Sequence, residues 1–198
     1  MPCTVQTLGL SDSTPRTENR LKSLFWPSIQ SGADVDYLAV QGFWVCTIVG
    51  LMSLVFLFAA QPITAILVFL LFHLGGVGVR EHNPFAAAIM LAYYLVDFLA
   101  SAFFLLTTSP GISVVRIIVI ALLFSNLRAT WIASGWKPES EEAALPPRFG
   151  DTFSDKVADK WPAFIWPKIK WLYYVYSFGL LALMAAGLIL VFLRRGHL

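Results

Sequence analysis

Apolar positions along this chain come in long blocks rather than in stripes, and residues 38–134 are almost continuously apolar. A helix needs roughly 20 apolar residues to cross a bilayer, because about 30 Å of hydrocarbon is divided by 1.5 Å of rise per residue. Five blocks reach or approach that length: 38–60, 63–79, 85–107, 112–134 and 171–193. The first holds no charge, and the last stops at Arg194 and Arg195. No stretch shows the alternating segments of about ten residues that a membrane barrel requires. The pattern predicts an all-α, multi-pass integral membrane helical bundle with about five transmembrane helices.

Punctuation supports these limits. Pro62, Pro84 and Pro110 stand where helices begin, a position at which proline's missing N–H leaves nothing unpaired. Asn83 and Ser109 precede two of them as N-caps. Only Gln61 and Pro62 separate the first two blocks, and 108–111 joins the third to the fourth, so both pairs should be antiparallel neighbours. The second block closes on Gly75, Gly76 and Gly78, which lack a dinucleotide-binding spacing and read as helix termination or close packing. These glycines also keep open a re-entrant second segment.

The polar remainder divides into a 1–37 tail, a 135–170 loop and a 194–198 tail. The loop starts as an acidic, proline-rich linker with Glu139, Glu141 and Glu142. It then spaces Phe153, Val157 and Trp161 four residues apart, predicting a short amphipathic helix on the membrane surface. Residues 24–29 (LFWPSI) echo 164–169 (FIWPKI), and interfacial anchoring by tryptophan accounts for both copies.

Composition agrees with lipid as the solvent: 58% of residues are apolar and 13% charged, against about a quarter charged in soluble domains. A formal net charge of +2, with basic and acidic residues interleaved, does not point to nucleic acid. Ten basic residues fall on the side shared by the N-terminal tail, the 80–84 loop and the 135–170 loop: Arg16, Arg20, Lys22, Arg80, Lys137, Arg148, Lys156, Lys160, Lys168 and Lys170. Only Arg194 and Arg195 fall opposite. Basic residues favour the cytoplasmic side, so the N-terminus is expected in the cytoplasm and the C-terminus outside, across the plasma (inner) membrane if the source is bacterial. Cys3 and Cys46 lie in a polar tail and an apolar block, so no disulfide is expected.

Ionisable groups inside a span are costly, and each is a site candidate by default. Asp97 is the deepest, with Tyr93 and Tyr94 one turn before it and Ser101 one turn after, a polar stripe on one helical face. Arg116 and Arg128 share the fourth block. Arg116 has the shorter route to water, so Arg128 is the expected partner of Asp97. His73, Glu81 and His82 do not follow a helical ligand spacing, and no metal or cofactor is expected. Gly179, Ala182 and Ala186 form a small-residue ridge on the fifth block, suited to close packing within the bundle or to a homo-oligomer or membrane-protein partner. No nucleophile and base stand together as catalysis would need. The leading expectation is a non-enzymatic scaffold or interaction protein. One alternative is a small transporter or channel working through Asp97, and another is a lipid-acting enzyme built on Arg80, Glu81 and His82.

Overall fold

The structure is a computed structural model, and it describes residues 25–104, 110–136 and 156–195. It is an all-α bundle of five helices, each long and apolar enough to cross a membrane. They are α1 (Gly32–Phe58), α2 (Pro62–Arg80), α3 (Pro84–Phe104), α4 (Pro110–Ser134) and α5 (Trp161–Arg195). Among the described residues there is no strand.

Two helices begin well before their apolar blocks, and the reasons differ. α1 starts six residues early because a cap, not hydropathy, sets its start. Ser31 is extended (φ −143°), and the Asp34 carboxylate accepts from the Ser31 and Gln30 backbone N–H groups at 3.2 and 3.1 Å. α5 begins at Trp161 rather than 171, and a π-helical turn, Lys156–Lys160, leads into it. The expected surface helix is therefore not a separate element in its described part. Val157 and Trp161 join α5 directly, Ala158 and Asp159 are buried, and Phe153 lies outside the described residues, as do the glutamates of the linker. At 35 residues α5 is about 52 Å long, well beyond a 30 Å hydrocarbon layer.

α2 and α3 join through a tight reversal. His82 takes a left-handed conformation (φ 54°), with its N–H donating to Val79 O at 3.0 Å and that of Asn83 to Gly78 O at 3.0 Å. These are the paired bonds of a Schellman ending, where glycine is the usual left-handed residue. Asn83 then caps α3 by accepting from the Ala86 N–H at 3.0 Å.

Helices α1 to α4 close into a ring: α1 packs on α2 and α4, and α3 packs on the same two. α5 lies outside the ring, mainly against α2. α2 is thus the hub, and its glycines explain how three neighbours approach it. Gly76 faces Cys46 and the Phe43 carbonyl of α1, Gly75 faces Met90 of α3, and Gly78 faces Ala86 of α3 and Trp166 of α5. They sit inside the helix and serve packing, and termination falls to the residues after Arg80. The axis of the ring is filled in its Arg80 half by Phe43, Cys46, Leu71, Val77, Met90 and Leu123.

The sequence echo is not a structural repeat. Residues 27–30 are non-helical, whereas 164–169 lie within α5, which carries Pro167 inside it. Trp166 is no interfacial anchor either: it is 6% exposed, against Gly78 and Tyr173.

Candidate functional site

Among the described side chains, the half of the ring away from Arg80 is not filled. A cavity of about 830 Å³ lies there, lined from all four ring helices and open to the surroundings past the exposed side chains of Ile48, Phe56 and Val115. α1 supplies Ile48, Val49, Met52, Ser53, Phe56 and Leu57; α2 supplies Val68; α3 supplies Tyr93, Tyr94 and Asp97; α4 supplies Val115, Arg116 and Val119. On α1 the lining runs from Ile48 to Leu57, next to the helix end at Phe58, so the cavity extends inward by about 15 Å. Its size falls within the roughly 300–1,000 Å³ of small-molecule sites.

The walls are mainly aliphatic and aromatic, and the charges on them are Asp97 and Arg116. Arg116 Nη2 stands 3.7 Å from Asp97 Oδ2, with Asp97 half-exposed and Arg116 24% exposed. At 3.7 Å the two attract as charges without a hydrogen bond, which for an ionic pair needs about 2.7–2.9 Å. Tyr93 and Tyr94 sit one turn below Asp97, braced edge-on against Phe72 at centroid distances of 5.7 and 6.1 Å.

The structure therefore brings Asp97, Tyr93 and Tyr94 together, but not with Arg128. The Arg128 guanidinium donates to the Pro27 carbonyl at 2.9 Å and lies 4.7 Å over Trp26, which stacks on Phe124. The reason is depth. Arg128 is 18 residues into α4 and so about 27 Å along it, near the Arg80 end, while Asp97 is in the other half. Arg116 does not need to snorkel away, because the cavity lies beside it. Ser101 is one turn beyond Asp97 and does not line the cavity.

A second polar cluster closes the other end of the bundle. Arg80 is 1% exposed. Its Nη1 donates to Asp36 Oδ1 of α1 at 2.6 Å, and its Nη2 donates to Asp159 Oδ1 before α5, also at 2.6 Å. Nε adds bonds to Asp159 Oδ1 and the Ala158 carbonyl, each at 3.1 Å. His82 Nε2 is 3.8 Å from Asp36 Oδ1, and the Tyr174 hydroxyl donates to Asn83 Oδ1 at 3.0 Å. Three elements distant in sequence meet at one guanidinium. Its fork is engaged by carboxylates, and this suits fastening better than chemistry on a substrate.

The sequence offered Arg80 as a loop cation and, with Glu81 and His82, as the basis of a lipid-acting enzyme, and it passed over Asp36 and Asp159 as its partners. The usable signal was an arginine directly after a run of close-packing glycines, where a solvent-facing charge does not fit. His73, raised as a metal candidate, has Nδ1 3.3 Å from the Thr47 hydroxyl and stacks on Phe69. Among the described residues no group of three or more His, Cys, Asp or Glu gathers to hold a metal. Gly179, Ala182 and Ala186 are exposed on α5, and a Cβ added at Gly179 would meet nothing within 4 Å.

Comparison with protein-family models, curated proteins and solved structures returns no match to this chain.

Proposed function

We propose that this chain is a multi-pass membrane protein that takes up a small amphipathic molecule in the Asp97–Arg116 cavity, as the binding step of a transporter. The observation that carries this is the unequal filling of the ring. The Arg80 half is packed with large side chains and leaves a pocket of about 210 Å³ beside Val35, His82 and Thr130, whereas the other leaves about 830 Å³ around an ion pair. A charged pair inside a span is expensive unless water or a ligand reaches it, and an apolar cavity around it favours a ligand with both apolar and polar parts. The filled half argues against a continuous pore in this conformation and for access from one side at a time. The basic-residue bias puts the Arg80 end in the cytoplasm, so the cavity lies toward the outer face.

Photolabelling tests this reading. An alkyl amphiphile bearing a diazirine, applied to the protein in detergent or liposomes, should label Val49, Val68 and Tyr93, and Val119→Trp should abolish that labelling by filling the cavity. Labelling confined to outward residues such as Leu172 and Val175 of α5 would remove the cavity from the mechanism.

The scaffold reading is favoured by a separate observation. α5 packs chiefly on α2, and its far half exposes Phe178, Leu183, Leu190 and the Gly179–Ala182–Ala186 ridge. Small residues in lipid mark faces that admit another helix closely. A second copy or a membrane partner on this ridge is compatible with a ligand in the ring.

A further inference from the structure

We infer that the cavity recognises a zwitterionic headgroup, a cationic ammonium and an anionic phosphate or carboxylate joined on one alkyl chain. This rests on the ligand-binding reading above and specifies its ligand.

The argument starts from the contrast between two ion pairs. Arg80 and its carboxylates are nearly inaccessible and joined at 2.6 Å, so their capacity is used internally. Asp97 and Arg116 stand 3.7 Å apart with half of the Asp97 side chain exposed, and among the described residues neither has a hydrogen bond. An ionised carboxylate accepts up to about four hydrogen bonds and a guanidinium donates five, so both present open capacity to whatever occupies the cavity. The charges are opposite and adjacent. A purely anionic headgroup would satisfy Arg116 but face Asp97 with like charge, and a purely cationic one would do the reverse. A headgroup carrying both charges a few ångströms apart satisfies both. Tyr93, one turn from Asp97 on the same helix, stands on the ammonium side of this arrangement, where an aromatic ring favours a cation, while Tyr94 lies near both charges. The apolar side chains of Ile48, Met52, Phe56 and Val68 supply the remaining wall, which suits an alkyl chain rather than a free amino acid.

The experiment is a headgroup series on one dodecyl chain: phosphoethanolamine, phosphate and amine, with chainless phosphoethanolamine as a fourth probe. Each competes against the diazirine amphiphile on the purified full-length protein. The zwitterion should compete about tenfold better than either singly charged compound, the weight of one charge-assisted hydrogen bond, and the chainless probe should not compete. Asp97→Asn should erase the zwitterion's advantage over the phosphate, and Arg116→Gln its advantage over the amine. Equal competition by all three dodecyl compounds on the wild-type protein overturns the headgroup inference while leaving the cavity as an amphiphile site. Competition by the chainless probe overturns the alkyl part of the inference. If no dodecyl compound competes, the cavity reading itself falls. The wild-type series decides the matter even if a charge variant fails to fold.

Discussion

Arg80 and Asp36 are 44 residues apart in sequence, yet their side chains meet as a fork, Nη1 to Oδ1 at 2.6 Å and Nη2 to Oδ2 at 3.3 Å. The same guanidinium reaches Asp159 at 2.6 Å. Removing one member of a buried ionic group strands the others, which costs about 3–5 kcal/mol, whereas replacing the whole group with neutral side chains costs far less. Arg80→Leu should therefore lower unfolding stability in detergent by that amount. Combining it with Asp36→Asn and Asp159→Asn should recover much of the loss. A triple variant no more stable than Arg80→Leu would mean that the cluster does not act as one unit.

His82 is a left-handed residue with a side chain, in a helix ending that ordinarily takes glycine. His82→Ala and His82→Gly both delete the imidazole and its approach to Asp36, so their difference isolates the backbone. The glycine variant should be more stable than the alanine variant by about 1–2 kcal/mol, the cost of left-handed backbone for a residue with a Cβ. Paired thermal unfolding curves measure this directly, and equal midpoints would contradict the left-handed conformation.

Gly75 faces the Met90 thioether so closely that an added Cβ would overlap it. Gly75→Leu should cost about 1–3 kcal/mol through overpacking. Gly75→Leu with Met90→Ala should recover a good part, because the methionine is the obstructing group. Additive losses in the double variant would place the obstruction elsewhere. Chemical denaturation in mixed micelles supplies the comparison.

The all-α bundle was legible because its cause is local. Block hydropathy reports directly on lipid burial, and Pro62, Pro84 and Pro110 each stand at the first position of a helix. Element starts were less legible where polar groups set them: Ser31 and Asp34 begin α1 inside a segment that hydropathy scores as tail. In α5 the helix simply continues outward from the membrane through Trp161, and no apolarity signal marks that. Asp97, Tyr93 and Tyr94 were readable as a stripe on one helix. Their cationic neighbour was not, because choosing Arg116 over Arg128 depends on a cavity formed by four helices together. The Arg80 cluster was hidden for the same reason, since no spacing rule links residues 36, 80 and 159.

Orientation is tested by reporters fused after Ser134 and after Leu198. The ten-to-two division of basic residues across the loops predicts opposite compartments, with the first in the cytoplasm. Signals from the same side would mean that α5 does not cross, whereas opposite signals with the first outside would mean that α2 turns back within the membrane.

Apolar helices meeting in lipid have little reason to prefer one depth over another, because the surrounding acyl chains are as greasy as the partner's side chains. α5 exposes much of its far half, and along that half sliding past α2 would cost little in apolar contact. The bond from Arg80 to Asp159 changes that. A slip of one helical turn, about 5.4 Å, would carry the Asp159 carboxylate away from its cation and take from Arg80 one of the two acids that hold it. The cluster at the bundle's end therefore acts as a datum for α5. It fixes the helix's height and its rotation at a single value, so the exposed ridge around Gly179 is presented at a defined level in the bilayer rather than over a range of levels.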